Sequence, residues 1–497
     1  MFATWNSIRK NDVDIILLLV LATPLIGSII LMLAGHRGVA PELNAGLSLI
    51  TFFASAFLAA NIVANGPSTF FSHYFFLDSL NVFIAGLTAF VGLTTALFSR
   101  PYMRVERDAG RMTKVRMRLY HSMYQLFMFT MLLALLTNSV GIMWVALESA
   151  TLTVLLLVSI YRTAASIEAA WKYFILSGVG VALALFGTVL LYLAAARHFG
   201  GDADALMWTN LQMAKSYLEP GIMAFAFVFL LVGYGTKMGL VPMHSWLPDA
   251  HAEGPTPISA VLSGLLLNVA LYAILRFKVL MDGALQNGLP GKMMVGFGLV
   301  SALVATFSLS RQKDVKRMFS YSSIEHVGIM TFTFGIGGAI GTYAGLLHMA
   351  MHSLVKSAIF FSVGHACQKA GTQIMSDIRG LLKVSPTVGW GMILGPLAIL
   401  GLPPFGVFSS EFLIVTNAIR EMPWAVPLLL LALGVAFATI ISRIQMMVFG
   451  EPTVRPLAHS PALLPVFAHL GLALLFGLYM PPYLNEWFVK AVHVIIG

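Results

Sequence analysis

The sequence predicts an all-α polytopic membrane protein with about fourteen transmembrane helices. Of its 497 residues, 58% are hydrophobic and only 10% are charged, and the mean hydropathy is +0.85. Such a chain has too little polar surface to coat a water-soluble globule. Apolar windows recur almost continuously from Asp14 to Met480, each about 20 residues long, which is the length that a helix needs to cross the hydrocarbon core. Membrane β-strands would instead show alternation over about 10 residues.

Each predicted span is an apolar run, and we number the spans from the N-terminus. They cover residues 14–35, 43–65, 78–99, 120–138, 139–161, 170–195, 222–247, 256–277, 293–310, 321–340, 342–364, 385–420, 425–448 and 461–480. The first run is long enough to cross the membrane and lacks a small-residue cleavage site before the next polar segment. We therefore expect it to be retained as span 1.

The distribution of Lys and Arg predicts the orientation in the membrane. The loops after odd-numbered spans carry 18 of the 30 Lys and Arg residues, whereas the termini and the other loops carry 9. The positive-inside rule then places both termini outside and the segment Arg100–Arg118 in the cytoplasm. In a protein with a net charge of +9, this basic segment is interpreted as a topology anchor rather than a nucleic-acid site.

The cysteine content limits the redox chemistry of the chain. Its single cysteine, Cys367, excludes a disulfide framework and a cysteine-ligated iron–sulfur cluster within the chain. Neither a phosphate-binding glycine loop nor a nucleophile triad is apparent. We expect no cofactor in this chain, so any redox chemistry belongs to partner subunits.

Two spans are interrupted by glycine and proline. Span 7 contains Gly235, Gly239 and Pro242, and span 12 is broken at Leu402–Phe405. The strings GLVPMHSW and GLPPFGVF begin 162 residues apart, at Gly239 and Gly401. A break inside a membrane must line a cavity or be buried in protein, and matched broken helices in two halves are typical of inverted-repeat transporters. Chance similarity of such short strings is the alternative.

Four charged residues stand alone in long apolar stretches: Glu148, Lys237, Lys356 and Glu411. A charge at the bilayer centre costs about 2.5–3.5 kcal/mol even on the lenient insertion scale. Residues of that cost are rarely retained for packing, so these four are the primary candidates for a functional site.

A polar stripe is predicted on span 11. His348, His352 and Lys356 follow one another at i+4 steps, which places them on one face of a helix over about 12 Å. Histidine titrates near neutrality and lysine can do so when buried, so the stripe indicates a proton wire. One alternative is that the histidines belong to the core and the lysine pairs with a neighbouring helix. The other is a zinc site, but the sequence shows no third ligand for it.

Glu148 and Lys237 are predicted to pair, because opposite charges reduce each other's desolvation cost and couple their protonation. A pair that opens and closes would be a switch, and a fixed pair would only hold two helices together. Weaker candidates are polar residues near the spans. A loop predicted between spans 7 and 8 carries His244, Asp249, His251 and Glu253. These side chains either exchange protons with cytoplasmic water or are merely solvated. Glu325 and His326 lie at the start of span 10, and Asn268 lies within span 8.

Long strings of the sequence resemble the antiporter-like membrane subunits of respiratory complex I, energy-converting [NiFe] hydrogenases and multi-subunit Na⁺/H⁺ antiporters. They are GTKMGLVPMHSWLPDAHAEGPTPISAVLSGLLLNVALYAILRF, QKDVKRMFSYSSIEHVG, HMAMHSLVKSAIFFSVG and GLPPFGVFSSEFLIV. The resemblance implies two inverted five-helix repeats, spans 4–8 and 9–13, with spans 7 and 12 broken. The chain then divides into residues 1–119, 120–277, 278–448 and 449–497.

The resemblance also implies residue roles. Glu148 matches the glutamate of span 5 and Lys237 its lysine partner. Lys356 and the histidines match the central groups of span 11, and Glu411 the terminal group of span 12. Members closest to complex I often carry a lysine where this chain has Asn268, which puts one relay station in doubt.

The implied function is proton translocation driven by electron transfer in a separate peripheral arm. SYSSIEHVG and VGHACQKAGTQ are most similar to the hydrogenase-4 F-type branch. The expected partners are further membrane subunits, that redox arm, protons and lipids, with no nucleic acid, in a bacterial or archaeal cytoplasmic membrane. The alternatives are a Na⁺/H⁺-exchanging subunit, a proton-coupled partner of a soluble enzyme that traps inorganic carbon, and a structural scaffold.

Overall fold

The computed structural model describes residues 10–199, 203–453 and 463–497 and is almost entirely helical. The α-helices, numbered in chain order, are α1 Lys10–Ala34, α2 Ala40–Asn65, α3 Ser79–Asp108, α4 Lys114–Leu136, α5 Val140–Val158, α6 Ala164–Phe199, α7 Trp208–Ala214, α8 Pro220–Met238, α9 Trp246–Glu253, α10 Thr256–Val261, α11 Leu267–Leu285, α12 Leu289–Leu309, α13 Val315–Ile336, α14 Gly338–Ala370, α15 Leu381–Val384, α16 Pro386–Ile399, α17 Gly406–Glu421, α18 Val426–Val448, α19 Leu464–Leu478 and α20 Pro482–Ile496.

Eleven of the described helical segments are long and apolar enough to cross a membrane, and α19 with α20, bent by 85°, would make a twelfth. The helical membrane fold is therefore confirmed. The remaining predicted spans are also helical: span 10 is α13, which carries Lys316, Arg317 and Glu325, and span 12 is split into the short helices α16 and α17. A crossing number of fourteen stays a prediction.

A short antiparallel hairpin lies before α3. Its strands, β1 Ser68–Phe70 and β2 Phe75–Leu77, pair Ser68 with Leu77. Asp78 follows directly and caps α3, accepting the amide hydrogens of Leu80 and Asn81. The same carboxylate accepts a hydrogen bond of 2.7 Å from Arg276 in α11. Both partners are buried, so this ion pair joins the start of α3 to the centre of the bundle.

Both predicted breaks are present. α8 ends at Met238 and α16 at Ile399. Gly239 and Gly401 follow with φ angles of 78° and 65°, a left-handed conformation that glycine adopts without steric cost. At the first break, a backbone carbonyl near the end of α8 gains a side-chain partner, because the Trp246 indole donates to the Thr236 carbonyl at 2.9 Å. The inverted symmetry of the two five-helix units stays a prediction.

Two long elements form the centre of the molecule. The most apolar windows of α10–α11 and of α14 are completely buried. Residues Leu262–Leu266, between α10 and α11, form a π-helical turn, a feature that is frequent at functional sites. α12 and α13 pack closely along glycines, because a Cβ on Gly298 would lie 2.4 Å from the Phe332 nitrogen.

Candidate functional site: a line of buried titratable groups

The first half of the site joins α5 to α8 through a hydroxyl. Lys237 is completely buried and donates a hydrogen bond to the Thr151 hydroxyl. Thr151 in turn donates to the Glu148 carboxylate at 3.1 Å, because residues three apart share one helix face. The predicted direct ion pair is thus replaced by a bridge. The Tyr173 hydroxyl lies 3.4 Å from the Lys237 ammonium and accepts a further hydrogen bond.

Local structure explains the position of Lys237. It lies in the last turn of α8, directly before the break, and a helix C-terminus favours a cation. Gly239 also packs near α13, since a Cβ there would lie 3.8 Å from Ile324, the neighbour of Glu325. The first break therefore abuts the helix that carries the next acidic group.

The central groups lie on α13 and α14. Lys356 donates to the Phe319 carbonyl at 3.1 Å and is completely buried. Neither carboxylate oxygen of Glu325 and neither ring nitrogen of His352 has a hydrogen-bond partner among the described residues. Buried polar atoms left open by the protein are the usual positions of ordered water. The centre is thus arranged for groups linked through water rather than for a closed ion pair.

A directed hydrogen-bonded chain follows. His326 Nδ1 lies 3.0 Å from His348 Nε2, and His348 Nδ1 lies 2.9 Å from the Ser410 hydroxyl. When Ser410 donates its one proton to the Val407 carbonyl, 2.8 Å away, it accepts from His348 Nδ1–H. A neutral His348 therefore accepts from His326 through Nε2. The ring of His352 stands 5.8 Å from that of His326, which connects the chain to the stripe of α14.

Glu411 lies at the end of this chain. Its carboxylate oxygen and ring nitrogens of His326 and His348 all lie within 4.8 Å of one another. The sequence argument against zinc rested on a missing third ligand for His348 and His352. The structure brings a carboxylate to a different pair, His326 and His348, and His352 is not part of that group. The carboxylate packs against Gly401: a Cβ on that residue would lie 2.0 Å from Glu411 Oε2, so a larger side chain there would force the carboxylate to move.

Asn268 is a contact between helices. Its amide donates to the Ser353 hydroxyl at 2.7 Å and to the Met349 carbonyl at 3.2 Å, both on α14. Buried serines lie around it: Ser263 of the π-helical turn bonds to Ser323 of α13 at 2.8 Å. These serines, like Thr151 and Ser410, were not selected from the sequence. The one sequence feature that could have identified these hydroxyls is their distance from an acidic residue. Thr151, Ser323 and Ser410 each lie within three residues of a glutamate.

The predicted loop between spans 7 and 8 is largely helix α9. Asp249, His251 and Glu253 all lie on it, and Pro248 is tolerated because it lies in the first helical turn. Asp249 pairs with Lys172 at 2.6 Å and with Arg317 at 2.8 Å. His251 is completely buried, stacked on Phe360, and neither ring nitrogen has a partner among the described residues. It is therefore not a solvated residue; His244, in the turn before α9, is half-buried.

A cavity of about 490 Å³ opens beside α9. Its polar lining includes Glu106, Arg111, Glu253 and Lys316. Lys316 donates to the carbonyls of Ala252 and Gly254, the residues that flank Glu253, at 2.8 and 2.6 Å. Burial raises the pKa of the Glu253 carboxyl above its ordinary value, against the opposing effect of Lys316 and Arg317. The cavity thus reaches the residue next to His251.

The fold and this line of groups define an antiporter-type membrane subunit. The chain belongs to the family described as NADH:quinone oxidoreductase/Mrp antiporter, transmembrane, whose model matches residues 137–440. A hydrogenase-4 component F homolog of Methylacidiphilum infernorum (isolate V4) is 48% identical over 469 residues, 94% of this chain and 97% of the relative.

Two solved structures share the fold. A chain of the membrane-bound sulfane sulfur reductase, an archaeal respiratory membrane complex, aligns with a TM-score of 0.87 at 23% identity, over 97% of this chain and 98% of that one. A chain of the Mrp complex from Dietzia sp. DQ12-45-1b aligns with a TM-score of 0.83 at 18% identity, over 97% of this chain and 100% of that one. The family resemblance and the predicted class, a proton-translocating membrane subunit, are confirmed.

Proposed function

We propose that this chain is the proton-translocating subunit of a redox-driven, hydrogenase-4-like membrane complex. The observation that carries the proposal is two groups of titratable side chains in the interior of the bundle. One joins Glu148 on α5 to Lys237 on α8 through Thr151, and the other brings His326 and His348 close to Glu411 on α17. We expect Glu325 and Lys356 to connect them. The relative of 48% identity is a homolog of a hydrogenase-4 component, which favours that type of complex.

The unit of Glu148, Thr151 and Lys237 is the switch. While Thr151 bridges them, the acid stabilises the ammonium form of the lysine. When the Glu148 carboxylate is neutralised or moves, a completely buried ammonium loses that stabilisation and releases its proton towards α13. Gly239 packs near Ile324, the neighbour of Glu325, and we expect the released proton to pass to Glu325 and Lys356.

The histidine chain carries the proton onward. A proton that reaches Nε2 of a neutral His326 allows the Nδ1 proton to pass to His348 Nε2. His348 then holds both ring protons and can give one to the Glu411 carboxylate, within 4.8 Å of these rings. After a transfer, His326 carries its proton on Nε2 instead of Nδ1, so the rings must reorient before the next proton can pass. The chain itself conducts in either direction, so the direction comes from the switch and from the electron transfer that drives it.

Protons enter through the cavity beside α9. Glu253, with its raised pKa, exchanges protons with water at the mouth. His251, two residues before it, stacks on Phe360 of α14, and neither of its ring nitrogens is bonded to a described residue; we expect it to pass the protons inward. The positive-inside rule places this mouth on the cytoplasmic side.

The two ends of the line lie at the lateral surface of the chain. Glu148 and Glu411 are half-buried, whereas Lys237, Lys356 and the histidines between them are completely buried. A charged residue beside lipid is costly, so neighbouring membrane subunits of the complex cover both ends and continue the path.

Removal of Lys237 tests the proposal. Lys237→Met in the assembled complex should abolish donor-dependent acidification by membrane vesicles while electron transfer and assembly persist. Arg443→Met is the matched control, because it removes another cation from a helix, here α18 and away from the line. An unchanged ratio of protons to electrons in Lys237→Met would refute the proposal.

Na⁺/H⁺ exchange is the second candidate. The Glu411 carboxylate lies against Gly401 in an unwound segment, and Na⁺ requires carboxylate and carbonyl oxygens of this kind. Flux that follows an imposed Na⁺ gradient without an electron donor would decide for exchange. Purification with a zinc enzyme and without redox subunits would instead indicate the inorganic-carbon module.

A further inference from the structure

A second cavity lies on the basic side of the molecule, away from the proton line. It has a volume of about 530 Å³ and lies between the α1–α2 turn and the α3–α4 turn. The basic side chains that line it are His36, Arg37, Arg107 and Lys114. Neither the proposed function nor the relatives described above account for it.

The charge of this cavity is largely uncompensated. Asp108 pairs with Arg107 at 2.9 Å, and the nearby Glu42 is held by Arg100 and Arg104. Arg37 and Lys114 form no ion pair with any residue that the structure describes. Two exposed cations that face a common cavity favour an anionic ligand.

A buried histidine at the base of the cavity points to the same conclusion. His121 lines it, is completely inaccessible to solvent, and has no described hydrogen-bond partner at either ring nitrogen. It lies two turns below Lys114 on α4, about 10 Å deeper in the membrane at 1.5 Å per residue. A buried polar group without a partner is costly, so a ligand that reaches this depth and accepts a hydrogen bond would satisfy it.

The surroundings fit a lipid better than a free ion. The wall between the cations and His121 is formed by Ala40, Pro41 and Met117. α1 ends at Ala34, next to the cavity residue Gly35, and its Ile29 and Leu33 are 57% and 73% exposed. A phospholipid would place its phosphate at the surface cations, its ester oxygens at His121 and its acyl chains along α1.

We propose that this cavity binds the phosphate headgroup of an anionic phospholipid, with His121 donating to the ester region. The lipid connects the α1–α2 turn to the α3–α4 turn. The site does not depend on proton translocation, and the positive-inside rule places it in the cytoplasmic leaflet.

Lipid retention by the purified full chain tests the proposal. The chain is exchanged into micelles with equal amounts of dioleoylphosphatidylglycerol and dioleoylphosphatidylcholine, and bound lipid is read by native mass spectrometry. The wild-type chain should retain phosphatidylglycerol selectively. Arg37→Ala/Lys114→Ala should bind it about 30-fold more weakly, since each cation near a membrane surface contributes about fivefold. His121→Leu should weaken retention without changing the salt dependence.

The matched control is Arg311→Ala/Lys313→Ala, which removes two exposed cations from the same predicted side. Equal loss in both double variants would show non-specific surface attraction and overturn the site. If inorganic phosphate raises Tm as much as phosphatidylglycerol does and displaces it, the ligand is a free anion and the lipid assignment is wrong. Should the double variant fail to fold, Arg37→Gln alone gives the same comparison.

Discussion

The Thr151 hydroxyl joins the Lys237 ammonium to the Glu148 carboxylate, so it controls the coupling between them. Thr151→Val keeps the shape of the side chain and removes its hydrogen bonds to Lys237, to Glu148 and to the Leu147 carbonyl, leaving a buried ammonium with one partner fewer. We expect proton translocation to fall at least tenfold while electron transfer continues, and Thr151→Ser to restore it.

Thr153 provides the control for that experiment. It is buried on the same helix and donates only to the Ala150 carbonyl. Thr153→Val should leave the proton-to-electron ratio unchanged. Equal defects in the two valine variants would mean that α5 is merely sensitive to the loss of a hydroxyl.

Gly401 determines where the Glu411 carboxylate can lie. Gly401→Ala forces a Cβ into a residue with positive φ and to within 2.0 Å of Glu411 Oε2, so it should destabilise the chain by about 1–2 kcal/mol and reduce translocation. Gly434→Ala, in α18 with open space around it, should be neutral or slightly stabilising. Measurements of Tm and of donor-dependent acidification distinguish the two, and a fully active, stable Gly401→Ala chain would contradict the role.

Isolated charges are visible in a sequence because their cost is large wherever they lie in the membrane. Hydroxyls are not, because serine and threonine satisfy themselves on their own helix backbone, as Thr153 does. Whether a hydroxyl instead bridges two helices depends on packing between residues far apart in the chain. Thr151 and Ser410 could therefore not be predicted, although each lies within three residues of an isolated glutamate.

Among the elements, the ion pair of Asp78 and Arg276 joins α3 to α11. Asp78→Asn retains a good cap for α3 but leaves the Arg276 charge buried and unpaired, which typically costs about 3–5 kcal/mol. We expect a markedly lower Tm for the purified chain. Glu451→Gln, which breaks the exposed pair with Lys383, should change stability by about 0–1 kcal/mol. Similar decreases in Tm in both variants would show that the buried ion pair stabilises the chain no more than the exposed one does.

The breaks at Gly239 and Gly401 were predictable because glycine and proline act locally on the backbone. Helix α9 was not, because it is only eight residues long, mixes polar with apolar residues, contains Pro248 and follows a proline-containing turn, features that equally describe a loop. Only the walls contributed by α13 and α14 decide that His251 is buried rather than solvated. Local chemistry thus determines where helices end, and tertiary packing determines which side chains meet water.

For the whole molecule, the arrangement of the line limits where partner subunits bind. Val145 and Phe408 lie one turn before Glu148 and Glu411 and are 51% and 39% exposed in the chain alone. Residues three apart share a helix face, so whatever covers each glutamate also covers its neighbour. A photo-crosslinking residue at position 145 or 408 in the assembled complex should therefore attach to membrane subunits. The two positions should crosslink to different contact surfaces of those subunits.

Position 29 on α1 is the control, because Ile29 is exposed to a similar degree, 57%, and lies beside the proposed lipid rather than on the proton line. It should give lipid adducts and little protein product. Crosslinks at 145 and 408 that yield only lipid would mean that both glutamates face the hydrocarbon region. A continuous lateral path would then end within this chain, since a charged carboxylate could not pass a proton into lipid.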